Sequence, residues 1–150
     1  MAGELRLYYG EAELRPLSST HGEVRKKPEL DQAGNPTGML VPKHHNGVDI
    51  YAPAHPFPRE VPVVAVCKGE VVFLFDPDSK NDLGNRAWLS PEGLAGVRVI
   101  YGHLSRFEGR NRPVKAGEII GYVGCSGNAD HNGACSKAGV HNLTSAHLHL

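Results

Sequence analysis

His45 and Asp49 stand four residues apart in the stretch His45-Asn46-Gly47-Val48-Asp49. Histidine supplies a neutral nitrogen ligand and aspartate an anionic oxygen, both of them ligand types that zinc takes. Gly47 lets the backbone turn tightly between the two. His44 is an adjacent competitor for the ligand role. An isolated match of this kind also describes a polar turn ahead of a strand, and that plain reading is the better one for the motif alone. A second group is His147-Leu148-His149. Strand residues two apart face the same side, about 6.6 Å apart along the chain, so both imidazoles can enter one pocket while Leu148 faces the core. The plain alternative is a histidine pair on an edge strand. The third group is Tyr101-Gly102-His103-Leu104, where His103 ends an apolar strand. Alone, it reads as a histidine capping a core strand. The chain has nine histidines in 150 residues. That count proves nothing by itself, so spacing must decide.

The elements that would carry these groups are strands. Eighteen glycines and eleven prolines favour short strands joined by many turns. Residues 1–40 read as an irregular lead-in, with turn signals at Pro16, Gly22, Pro28 and 34–38 and a short strand around Leu5 to Tyr8. HNGVDIYAP (45–53) is a turn running into a strand, and HPFPRE (55–60) a proline-rich loop. VPVVAVCKGEVVFLF (61–75) reads as two strands meeting at Lys68-Gly69, or one strand bent there. After a polar loop at 76–83, Asn85 to Leu89 is a strand and SPEG (90–93) a turn. Val97 to Leu104 is a strand with Val97, Val99, Tyr101 and His103 on one face by period-two alternation. VKAGEIIGYVG (114–124) is a glycine-punctuated strand pair, 125–146 a long polar loop, and AHLHL (146–150) a final strand. No segment of helical length is amphipathic at 3.6-residue spacing. The fold class is mostly β and antiparallel, in one domain.

Sixteen basic residues balance sixteen acidic ones. With no basic stripe, nucleic acid is not an expected partner; Arg25-Lys26-Lys27 is a solvated cluster. No apolar run approaches the roughly 20 residues that span a bilayer. The start, MAGELRLYYGEAELR, lacks the apolar core of a secretory signal. Three cysteines exclude a fully paired framework. Cys67 reads as a buried small hydrophobe. Cys125 and Cys135 either pair, closing a loop worth about 3 kcal/mol in an oxidising compartment, or stay as thiols. A structural zinc site on Cys125, Cys135 and His131 or His141 ranks low, because the spacing fits no Cys-x-x-Cys pattern.

Taken together and in this order, HNGVD (45–49), YGHL (101–104) and HLH (147–149) resemble the lysostaphin/LytM-type zinc peptidoglycan endopeptidases. The joining pieces match too. PVVAVCKGEVV (62–72) looks like that family's Pro-Val-x-Ala…Gly-x-Val strand pair. GNRAWL (84–89) resembles its Gly-Asn-containing strand, and VKAGEIIGYVGCSG (114–127) its Gly-punctuated run ending in Ser/Thr-Gly. The resemblance covers about residues 40–150. It implies an antiparallel two-sheet fold of the lysostaphin-like peptidase type, with long loops and little helix. It divides the chain into a lead-in, 1–40, and a zinc metallopeptidase domain, 41–150. It implies one zinc ion on His45, Asp49 and His149, with a fourth position left for water. His45 rather than His44 has the family's spacing to Gly47 and Asp49. His103 and His147 fall on its two non-ligand catalytic histidines, one to take a proton from water and one to stabilise the oxyanion or protonate the leaving amine. His147 is favoured as general base, being next but one to His149. The implied reaction is hydrolysis of an amide in peptidoglycan stem peptides or cross-bridges. The alternative is a non-catalytic wall-binding or regulatory member of the fold, but such members typically lack ligands and all five positions are present.

Three departures set further expectations. The chain stops at Leu150, where the family continues; the domain reads as cut short, and a ligand one residue from the end is expected to be mobile unless the chain was truncated. The 125–146 loop is long and brings His131 and His141, read as surface histidines. HPFPREVP (55–62) replaces a short link and could reshape a groove wall. Action at the bacterial wall, periplasmic or extracellular, without a signal in this chain implies a phage-borne enzyme, a protein delivered by a secretion system, or one whose leader was removed. An injected toxin would need an immunity protein as partner.

Overall fold

The computed structural model describes residues 22, 24–51, 61–76, 83–129 and 147–150. Eleven strands run through them: β1 Val24–Leu30, β2 Pro36–His44, β3 Asp49–Tyr51, β4 Pro62–Val64, β5 Gly69–Leu74, β6 Arg86–Pro91, β7 Val99–Tyr101, β8 Leu104–Phe107, β9 Arg112–Val114, β10 Ile119–Val123 and β11 His147–His149. Among the described residues the helical content is a single 3-10 turn, Gly127–Ala129. Every strand pairing is antiparallel. The order β7-β6-β5-β9 forms a four-stranded sheet and β4-β10-β8 a three-stranded one. Two ribbons, β1-β2 and β3-β11, complete the set. The fold is thus mostly β and antiparallel, as the sequence pattern implies.

Period-two alternation builds the core. In β5, Gly69 and Val71 are buried while Glu70 and Val72 are exposed. In β6, Ala87 and Leu89 are buried, and Leu89 sits opposite Val71. Both sheets and the β3-β11 ribbon feed one hydrophobic cluster: Val71, Leu89 and Tyr101 from the first sheet, Val63, Leu104 and Ile120 from the second, Ile50 and Leu148 from the ribbon. The ribbon that carries His45's neighbours and His149 is therefore anchored through its apolar face to the same core as the sheets.

Two readings of the sequence need correction. The described part of the lead-in is not irregular: β1 and β2 form a hairpin, closed by an Asx turn in which Asp31 Oδ1 accepts the Ala33 and Asn35 amides at 2.8 and 2.9 Å. The Asn35 amide, and then that of Ala33, holds the Asp31 carboxyl below its ordinary pKa. Hydrophobic periodicity has nothing to show there, because β2 is exposed along almost its whole length. The continuous strand from Val97 to Leu104 is also broken. β7 ends at Tyr101, β8 begins at Leu104, and His103 between them has φ +60°. A left-handed residue reverses the local chain direction, so His103 is not on the Val99–Tyr101 face by alternation. The expected strand at Leu5 to Tyr8, the 55–60 loop and most of the 125–146 loop lie outside the described residues.

This division of the core gives a stability contrast. Leu89→Ala, at a fully buried position, is expected to lower the unfolding free energy by about 2–5 kcal/mol in urea titrations. Leu40→Ala on the hairpin, where Leu40 is 62% exposed, is expected to change it by less than about 0.5 kcal/mol.

Candidate metal centre

The β3-β11 register sets His149 opposite Asp49, Leu148 opposite Ile50 and His147 opposite Tyr51. Directly opposed residues of an antiparallel pair share a face. Ile50 and Leu148 are buried in the core, which leaves Asp49 and His149 together on the other face. The turn 45–48 then returns His45 to the same place, where it is 7% exposed. Neighbouring His44 is exposed, so burial separates the two candidates.

Three donor atoms converge. His149 Nδ1 lies 2.9 Å from Asp49 Oδ1. His45 Nε2 lies 3.2 Å from the same oxygen and 3.2 Å from His149 Nδ1. Edges of this length suit three donors each about 2.0–2.2 Å from one shared ion. The rings of His45 and His149 meet edge-on, with centroids 4.9 Å apart and planes at 79°. Asp49 is 4% exposed, and a buried carboxylate is costly unless cations or hydrogen bonds surround it. Two imidazole nitrogens and one carboxylate oxygen form a donor set that fits a divalent metal.

The framework around these donors is tightly bonded. Val48 and Leu150 exchange both backbone hydrogen bonds, at 2.8 and 2.9 Å, and the Gly102 amide donates to the His149 carbonyl at 2.8 Å. These bonds and the β3 pairing hold the His149 backbone between β3 and Gly102. Gly47 lies in the turn, as its sequence reading has it, but the turn is not what requires a glycine. It does not take a positive φ. Instead, a Cβ at this position would overlap His149 Nε2 and lie 2.5 Å from the Leu150 carbonyl oxygen. Gly47 is the floor against which the His149 ring rests.

His103 is 2% exposed, and its ring lies edge-on to that of His149, centroids 5.9 Å apart. Its Nδ1 is 2.8 Å from the Ser126 carbonyl oxygen. The tyrosine of the same motif is structural: the buried Tyr101 hydroxyl accepts the Val66 amide at 3.0 Å, and burial pushes its pKa up. The backbone of His147 pairs with Tyr51; its side chain, and His131, His141 and Cys135 entirely, lie outside the described residues. Cys67 carries a free thiol whose pKa is raised by burial, whereas Cys125 is disulfide-bonded. A disulfide sulfur is not a thiolate, so Cys125 is no zinc ligand here. Asn85 and Ser126 fall within the Gly-Asn and Ser/Thr-Gly pieces that carry the resemblance, but their types and spacing alone give them no role beside His103.

Residues 43–150 match Peptidase family M23. The DD-carboxypeptidase/endopeptidase Mpg of Neisseria meningitidis is 34% identical over 83 residues, 55% of this chain and 17% of that protein. The chain thus spans less than a fifth of the length of that curated relative. Among solved structures, a mutant catalytic domain of the prophage-encoded M23 protein EnpA from Enterococcus faecalis superposes with a TM-score of 0.56 at 23% identity, over 97% of this chain and 83% of that one. The catalytic domain of the antimicrobial peptidase lysostaphin from Staphylococcus simulans gives 0.53 at 26% identity, over 89% and 76%. A zinc-containing peptidase from Vibrio cholerae gives 0.51 at 24%, over 91% and 32%.

The Gly47 contact generates a test of the centre itself. Gly47→Ala is expected to push the His149 ring aside and weaken zinc binding by at least ~10-fold, measured by chelator competition. Asn46→Ala, at the exposed neighbour, should leave the affinity unchanged.

Proposed function

Since the chain belongs to peptidase family M23, we propose that it is a zinc-dependent endopeptidase that hydrolyses amide bonds in peptidoglycan stem peptides or cross-bridges. The convergence of His45 Nε2, Asp49 Oδ1 and His149 Nδ1 within 3.2 Å carries this reading. We assign the activity to residues 41–150 and its site of action to the bacterial wall, in the periplasm or outside the cell. The 34% identity to a DD-carboxypeptidase/endopeptidase and the fold shared with an antimicrobial peptidase support the same substrate class.

His45, Asp49 and His149 would hold the ion. Bound there, zinc supplies Lewis acidity, which polarises a carbonyl and brings the pKa of a water towards about 7. The protein's own groups do the rest. A carbonyl oxygen accepts and never donates, so the bond to Ser126 requires the proton of neutral His103 to sit on Nδ1. The basic lone pair is then on Nε2. In this state His103 can take a proton; once protonated, it can stabilise an oxyanion or protonate the leaving amine. His147, two residues from His149 along β11, is assigned as the general base, with His103 as its counterpart. Imidazole suits both roles because its ordinary pKa lies near neutrality.

The test is digestion of purified sacculi of defined cross-link types, with mass analysis of the fragments. Zinc-loaded protein is expected to release fragments from at least one type. Asp49→Ala should lower release by ~10²-fold or more and drop bound zinc from one per chain towards none. Absence of release from every type by protein with full zinc occupancy would overturn the enzymatic reading.

A further inference from the structure

His103 occupies a backbone conformation that L residues avoid, with φ +60°. The surroundings must therefore over-determine it. Three successive amides are fixed: Gly102 to the His149 carbonyl at 2.8 Å, His103 to Leu83 at 2.6 Å, and Leu104 to Asn85 at 2.9 Å. These bonds place the backbone but leave the ring's orientation and tautomer open. The Ser126 carbonyl, 2.8 Å from Nδ1, bears on both.

The Ser126 hydroxyl donates to the Leu104 carbonyl at 2.8 Å and accepts the Asn85 amide at 3.0 Å. One oxygen thus ties the start of β6 to the start of β8, the strand that leaves the His103 corner. The carbonyl of the same residue faces His103 Nδ1 at 2.8 Å. The Gly84 backbone packs closely against the Ser126–Gly127 peptide. A Cβ on Gly84 would overlap Ser126 C and Gly127 N and come within 2.6 Å of Ser126 Oγ, and Gly84 itself has φ +63°. Asn85 is held in turn, its Oδ1 accepting the Asp76 amide at 3.0 Å. The peptide whose oxygen meets the ring is clamped by its own side chain and by Gly84.

We infer that Ser126 is the positioning residue of His103. Its hydroxyl fixes the peptide plane, and its carbonyl then holds the imidazole as the Nδ1–H tautomer with the lone pair on Nε2. Ser126 touches no reacting atom; it acts through His103. Its consequence for catalysis rests on the peptidase reading above, whereas the tautomer does not.

The experiment uses the full chain, zinc-loaded, with nitrogen-15 imidazole spectra alongside steady-state kinetics on a soluble wall peptide. In the unsubstituted protein His103 should show a single Nδ1–H tautomer; an Nε2–H tautomer there overturns the inference without any variant. Ser126→Ala should give mixed His103 tautomers and a kcat lower by ~10- to 100-fold, with KM and zinc stoichiometry unchanged. Ser126→Thr, which keeps the hydroxyl, should restore both signals. An unaltered tautomer and kcat in a folded Ser126→Ala protein would overturn the assignment. If His103→Ala keeps full activity while Ser126→Ala still scrambles the tautomer, the positioning stands and it is the catalytic role of His103 that fails.

Discussion

The pairing of β11 with β3 is the constraint on which everything else in the site depends. It sets His149 opposite Asp49 across a sequence separation of one hundred residues, with the donor atoms 2.9 Å apart. A slip of one residue in this register would exchange faces, moving Ile50 or Leu148 out of the core and the donors into it. The apolar pair therefore selects the register, and the register aligns the donors. Loops alone could not do this with the same precision, because nothing would penalise the wrong alignment.

Packing around that pair has little slack. Gly47 sits under the His149 ring where no side chain fits. Leu150 and Val48 lock the segments next to His149 and Asp49. The His149 carbonyl accepts from Gly102, so the strand that supplies a donor also fixes the corner that supplies His103. The donor triad and His103 are consequently parts of one bonded unit. Perturbing the Gly102 corner should be felt at His149, and the reverse.

Much of this is legible in the sequence because it rests on short-range rules. The valine and aromatic content of 61–75, broken at Gly69, makes β4 and β5 readable as two strands. HNGVD, YGHL and HLH place histidines and an aspartate at spacings that become specific once their order is considered. What escapes has identifiable causes. The β1-β2 hairpin is exposed along most of its length, so no hydrophobic pattern marks it. Alternation puts His103 on a continuous strand because it cannot register a single left-handed residue. The constraint on Gly47 comes from a ring a hundred residues away, and the clamp on His103 runs through Ser126 and Asn85. Contacts of that kind exist only in three dimensions.

The most direct measurement of the central claim is zinc X-ray absorption on the loaded chain. The expected spectrum has only nitrogen and oxygen neighbours at about 2.0–2.2 Å, with the outer-shell pattern of two imidazoles, falling to one imidazole in His45→Ala. Sulfur scattering at about 2.3 Å, or an imidazole count that ignores the loss of His45, would contradict it and place the metal somewhere other than between β3 and β11.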